Sequence, residues 1–156
     1  MLERRDLLAG APTGSGKTLA FLLPTLQLLQ KHTKLGFRAV LVSPTRELAQ
    51  QIYEQLQLLT QGQGFRTCLL TNVTKKTSEA LAKKKFDILI TTPLRLVHAI
   101  QHEEVALHRV EMLVLDEADR LLEQGFLTQT DEILAACTNP NLRKALFSAT
   151  LPAGVE

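Results

Sequence analysis

Six short apolar runs punctuate the chain, at residues 7–11, 39–42, 67–70, 88–90, 112–115 and 145–147. Each is rich in Val, Ile, Leu or Ala and is apolar at successive positions, so both of its faces must be covered. Runs of this kind predict central strands of a parallel sheet. The segments between them change period. Leu19, Leu22, Leu23, Leu26 and Leu29 give residues 17–30 a broad apolar helical face, and Leu48, Ile52, Leu56 and Leu59 do the same for 46–59. Thr45 stands where its hydroxyl can cap the second helix. Residues 78–84, 94–101 and 126–137 are further helical segments. Strand–helix alternation at this spacing predicts right-handed crossovers and an α/β fold, a largely parallel central sheet with helices on both faces. Ligands of such sheets bind beyond the carboxyl ends of the strands. The chemistry should therefore fall in the segments that directly follow the apolar runs.

Composition narrows the class. The 156 residues suit one globular domain, read here as residues 1–156, with no repeat, low-complexity tract or linker. Apolar residues make up 45% and charged residues 22%, the mixture of a folded protein. The formal net charge of +2 excludes a basic coat, so any nucleic-acid contact must rest on a local patch or on backbone amides. Aromatic residues are only 4%, with no Trp, which argues against reading single strands by base stacking. Cys68 and Cys137 lie in apolar runs and form no CxxC pair, as expected of buried reduced thiols in an intracellular protein. No apolar run approaches the roughly 20 residues of a membrane span, and no signal peptide is visible.

The first predicted strand leads into Ala11-Pro12-Thr13-Gly14-Ser15-Gly16-Lys17-Thr18, and a helix follows. This is P-loop spacing, with Ala11 where the stricter pattern has Gly. Phosphate oxygens need several backbone N–H groups converging on one point, and Gly14 and Gly16 let the chain curl closely enough. The backbone of Thr13, Gly14, Ser15 and Gly16 would cradle the phosphates, aided by the partial positive charge of the helix N-terminus. Lys17 would reach the β and γ phosphates of a nucleoside triphosphate, and the Thr18 hydroxyl would ligate Mg²⁺.

The fifth run ends in Asp116-Glu117-Ala118-Asp119. Acids at the end of a buried strand are costly unless they meet a cation or a partner. Beside a P-loop, Asp116 is expected to hold Mg²⁺ through water, and Glu117 to orient and deprotonate the attacking water. The competing reading is a helix N-terminus whose acids only complement the dipole.

Asp-Glu-Ala-Asp after an apolar strand, downstream of APTGSGKT, resembles the DEAD-box helicases. Pro44-Thr45-Arg46-Glu47-Leu48-Ala49 is similar to the PTRELA motif of that family. Thr92-Pro93-Leu94-Arg95 is similar to its TPGR motif, with Leu94 in place of Gly, and Ser148-Ala149-Thr150 to its SAT motif. The resemblance covers the whole chain. It implies a RecA-like P-loop domain, the first of two core domains of an ATP-dependent RNA helicase, using ATP and Mg²⁺. It further implies that Thr45, Arg46, Thr92 and Arg95 grip the sugar-phosphate backbone of RNA without reading its sequence. Asp119, Ser148 and Thr150 would couple nucleotide state to domain closure, with Ser148 near Asp119. The implied partners are RNA and a second RecA-like domain of the same parent chain, with no membrane and no further subunit.

Some positions depart from the family pattern. The Phe and Gln that read adenine upstream of the phosphate loop are not found before Ala11. Thr71-Asn72-Val73-Thr74 stands where the family has a Gly-Gly contact to RNA. The second core domain, which brings an arginine finger, is not in the sequence, so the chain is read as a fragment or excised domain. Alone, it is expected to bind Mg-nucleotide weakly and hydrolyse it hardly at all. The tracts GFRAVLVSPTRELA, KKFDILITTP and ILAACTNPNLRKALFSAT resemble the DEAD-box subgroup that assembles the small ribosomal subunit, which would place the parent protein in the nucleolus. The alternatives are a P-loop ATPase acting on DNA or protein, and a non-catalytic binding module. His98 and His102, four residues apart beside Glu103, read as a solvated helix end in preference to a metal site. Lys75-Lys76 and Lys83-Lys84-Lys85 read as a solvated helix face.

Overall fold

The computed structural model describes residues 7–10, 15–72 and 74–148. In chain order its elements are β1 (Leu7–Gly10), α1 (Ser15–Leu29), β2 (Ala39–Val42), α2 (Arg46–Leu59), β3 (Thr67–Leu70) and α3 (Lys75–Lys83). They continue with β4 (Ile88–Thr91), α4 (Pro93–Gln101), β5 (Met112–Leu115), α5 (Ala118–Glu123), α6 (Leu127–Ala136) and β6 (Arg143–Ser148). The six strands form one sheet in the order β1-β6-β5-β2-β4-β3, and every neighbouring pair is parallel.

Strand alternation sorts the side chains onto two faces. Ala39, Leu41, Ile88, Ile90, Met112 and Val114 face Phe21, Leu22 and Leu29 of α1 and Ala49, Ile52 and Leu56 of α2. Val40, Val42, Leu89, Leu113 and Leu115 face Leu96, Val97 and Ala99 of α4, Leu121 of α5 and Ile133 of α6. Both faces are thus buried, as the unbroken apolar runs required. The expected α/β fold, with a parallel sheet sandwiched between helices, is the one observed.

Local chemistry sets several boundaries. Thr45 caps α2 as its position predicted: its backbone is extended, and its Oγ1 accepts from the Leu48 amide at 3.2 Å. Thr74 does the same for α3, accepting from Thr77 N at 3.1 Å, so that helix begins at Lys75 and not at 78. At the amino ends of the strands, fully buried Asp87 accepts from Thr33 N, Arg66 N, His32 Nδ1 and Arg38. Arg38 also donates to the carbonyls of Leu29 and Lys31. This cluster ties the end of α1 to the starts of β2, β3 and β4, and leaves the opposite rim free for chemistry.

Candidate active site and nucleic-acid interface

Because all strands run parallel, every segment that follows a strand emerges on one rim of the sheet. The strand order then divides that rim. β6 and β5 bring out Ser148 and the acids Asp116 and Glu117, beside the carboxyl end of β1. β2, β4 and β3 bring out Thr45 and Arg46, Thr92 and Arg95, and Thr71 and Asn72. Backbone bonds join the two halves at β2: Asp116 N donates to Val42 O at 2.8 Å, and Ser43 N donates to Thr91 O at 3.0 Å.

In the first half, Lys17 leaves the opening turn of α1 and reaches the end of β5. Its Nζ lies 3.1 Å from Asp116 Oδ1 and 3.2 Å from Glu117 Oε1. All three residues are buried, at 8%, 3% and 6% exposure, so the charges are largely withdrawn from water. The Lys17–Glu117 contact is a hydrogen bond. The Lys17–Asp116 contact is a buried ion pair. Burial by itself would lower the Lys17 pKa; the two carboxylates outweigh it and hold the ammonium above its ordinary value. Burial raises the Asp116 pKa, and Lys17 offsets this only in part.

Glu117 adopts a left-handed backbone conformation, φ 51° and ψ 52°, as the cap residue of α5. A non-glycine residue there carries strain of about 1–3 kcal/mol, which the surroundings must over-determine. Both carboxylate oxygens are fixed: Oε1 by Lys17, and Oε2 by Arg120 NH1 at 3.0 Å. Arg120 was not singled out in the sequence, although its spacing of three from Glu117 within one helical turn is a usable signal. Thr18 is half-buried one residue beyond Lys17. Ser148 ends β6, 2% exposed, and α5, which carries Asp119, packs against that strand. Ser15 and Gly16 open α1. Thr13, Gly14 and Thr150 lie outside the described residues.

In the second half, Pro44, Arg46, Thr71, Asn72, Thr92 and Leu94 line a groove of about 410 Å³, together with Pro93, Arg95, His98 and Phe126. Thr45 and Thr92 are half-buried and Arg46 is exposed, so the sheet brings Arg46 and Thr92 into one groove from different strands. Arg95 is placed differently from its sequence neighbours. It is 6% exposed, and its guanidinium makes a two-pronged ion pair with Glu104. Leu94, in the position of the family glycine, is 59% exposed at the groove.

The features set aside in the sequence resolve simply. His98 and His102 stack at 4.0 Å between ring centres, and no group of three metal-ligating residues occurs among the described residues. The five lysines of the two basic clusters are exposed. Cys68 and Cys137 are buried free thiols. No helix among the described residues is long and apolar enough to cross a membrane.

The model of the DEAD/DEAH box helicase family matches residues 1–156. The chain is 48% identical over 160 residues to the ATP-dependent RNA helicase ROK1 of Lodderomyces elongisporus, covering 99% of this chain and 29% of that protein. It is 49% identical over 157 residues to the probable ATP-dependent RNA helicase ddx52 of Dictyostelium discoideum, covering 100% and 24%. The chain thus spans about a quarter to a third of the length of these relatives. Among solved structures, a DEAD box protein from the hyperthermophile Methanococcus jannaschii superposes with a TM-score of 0.85 at 34% identity, over 95% of this chain and 40% of that one. The yeast DEAD-box splicing factor Prp28 superposes with a TM-score of 0.87 at 31% identity, over 97% and 38%. With the motif order, the rim geometry and these matches in agreement, the chain belongs to the DEAD/DEAH box helicase family.

Proposed function

We propose that this chain is the ATP-binding half of an ATP-dependent RNA helicase core, which remodels RNA duplexes or ribonucleoprotein when a second RecA-like domain closes on it. The observation that carries this reading is the divided rim: a buried Lys–Asp–Glu cluster on one side, a groove edged by hydroxyls and an exposed arginine on the other, and backbone bonds between them through β2. Residues 13–18 and the N-terminus of α1 bind the phosphates of ATP. Lys17 has three N–H donors, and they turn from the carboxylates to the β and γ phosphates when ATP enters. Once Lys17 turns to the phosphates, the buried Asp116 carboxylate is left without its ion pair, which suits a cation. Thr18, and Asp116 through water, would hold Mg²⁺, whose charge would offset that of the phosphates. Glu117 takes the proton of the attacking water, and Arg120, bonded to its Oε2, keeps the carboxylate aimed once Lys17 has turned away.

Thr45, Arg46 and Thr92 hold the RNA backbone, since hydroxyls and a fixed cation contact phosphates and sugars and not base sequence. Asp119, Ser148 and Thr150 transmit nucleotide state toward the second domain. The tracts that resemble the small-subunit assembly subgroup support a ribonucleoprotein target in ribosome assembly and a nucleolar location, which imaging against a nucleolar marker would test.

The deciding experiment joins this domain to a second core domain and measures ATP hydrolysis with matched RNA and DNA strands. Stimulation by RNA is expected; stimulation by DNA but not by RNA would overturn the reading. The 156-residue chain by itself should turn over little ATP.

A further inference from the structure

The expected RNA contacts on the second half of the rim do not all point into the groove. Arg95 sits in the first turn of α4 with only 5% of its side chain exposed. A guanidinium has five N–H groups in a fixed fork. Here Nε donates to the carbonyl of Asn72 at 3.2 Å. NH1 donates to Glu104 Oε1 at 3.3 Å, NH2 donates to Glu104 Oε2 at 3.1 Å, and His98 Nδ1 lies 3.2 Å from NH1 and 3.3 Å from Oε1. Three of the five N–H groups are thus spent, and the charge is already met by a carboxylate.

Glu104 arrives by a reversal of the chain. α4 ends at Gln101, Glu103 takes a left-handed conformation with φ 54°, and Glu104 N donates back to Ala99 O at 2.8 Å. The reversal returns the Glu104 carboxylate to Arg95 near the start of the helix, beside His98. The hydrogen bond from Arg95 holds the Glu104 carboxyl below its ordinary range. Withdrawing Arg95 toward a ligand would leave the half-buried Glu104 carboxylate with only His98 and Ser78 beside it, and breaking such a pair is costly. Arg46, in the same groove, is its opposite: exposed, and without a partner among the described residues.

We propose that Arg95 is a positioning residue and not a phosphate ligand: pinned by Glu104, it holds the Asn72 carbonyl and so fixes the groove wall that follows β3, leaving Arg46 as the cation that meets RNA. The inference rests on the reading of this groove as an RNA site. It assigns Glu104, nine residues from Arg95 and outside every family motif, a part in RNA binding that acts through Arg95.

The test uses the chain itself, titrating a short fluorescent single-stranded RNA over a range of salt concentrations. Each phosphate-bound cation contributes about 0.7 to the slope of log affinity against log salt. Arg46→Gln should lower that slope by about 0.7. Arg95→Gln and Glu104→Gln should each weaken binding roughly fivefold, the scale of one ordinary hydrogen bond, with the slope unchanged. Both should also speed amide exchange at Thr71 and Asn72 without RNA present. A lowered slope for Arg95→Gln, or tighter binding by Glu104→Gln, would overturn the proposal, because either would mean that Arg95 serves phosphate. If the wild-type chain binds no RNA, the RNA reading fails, and amide exchange alone decides the positioning role: unchanged exchange rejects it. Should a Gln variant unfold, Arg95→Lys replaces it, since lysine keeps the charge yet cannot span Asn72 and both oxygens of Glu104.

Discussion

The ammonium of Lys17 lies 3.2 Å from the carboxylate of Glu117, 100 positions further along the chain. The residue that should hold phosphate and the residue that should activate water are thus in direct contact, and each balances the burial cost of the other. In the proposed ATP complex the phosphates compete with this contact for the ammonium. Binding of nucleotide and release of the Glu117 carboxylate for chemistry are therefore one event, provided the phosphates draw Lys17 away.

Removing the ammonium tests both sides of that exchange. Lys17→Ala should weaken nucleotide binding at least about tenfold to a hundredfold, the scale of charge-assisted contacts to phosphate. It should also leave Asp116 and Glu117 buried without their cation, costing about 1–3 kcal/mol of stability. Calorimetric titration and thermal melting check the two effects; unchanged affinity would remove Lys17 from the phosphate site.

Glu117→Gln keeps the size of the side chain, and its one carbonyl oxygen can still accept from Lys17 or Arg120, but it cannot accept the proton. In a two-domain protein containing this domain, ATP should still bind, and turnover should fall by about a hundredfold or more. Phosphate release at saturating ATP and RNA is the readout, and near wild-type turnover would exclude Glu117 as the base.

Asp116 makes a counter-intuitive prediction. Its pKa is raised by burial above the ordinary 3.8, with Lys17 compensating only partly. An acid shifted upward favours the fold when protonated: that contribution is full below the unfolded value and is lost as pH rises through the folded value. At neutral pH the ionised carboxylate is a burden, and Lys17 retains Glu117 as a partner without it. Asp116→Asn should therefore melt above wild type at neutral pH, with the gap closing as pH falls toward 3.8. A lower melting temperature at neutral pH would contradict this.

The two cysteines should be inert in the folded protein. Burial pushes the thiols of Cys68 and Cys137 up to about 11. Neither presents a thiolate near neutral pH, so both should react with a thiol reagent only after denaturation. Rapid labelling of the native chain would show that one of them opens to solvent.

Much of the architecture was legible because it rests on local apolar pattern. Residues 39–42, 67–70 and 112–115 are strands with the expected ends, and α2 runs from Arg46 to Leu59 as its spacing and its Thr45 cap implied. The misses are where that signal fades. β6 begins at Arg143, two residues before the apolar run, because Arg143 N finds the carbonyl of Glu111 and extends the ladder through half-buried charged side chains. The six-residue α5 was not expected, since only Ala118 and Leu121 of it are buried, too few to set a period.

The site divides along the same line. The sequence by itself determined which residue types stand after which strands, and hence the P-loop, the acid pair and the hydroxyl–arginine motifs, because each is a contiguous run. Only the tertiary structure decided that β6 separates β1 from β5, that the rim splits into a lysine–acid side and a groove side, and that Arg46 stays exposed while Arg95 is closed off by Glu104. The physical reason is that pairing across a sheet and around a chain reversal depends on distances in space, which spacing along the chain does not encode.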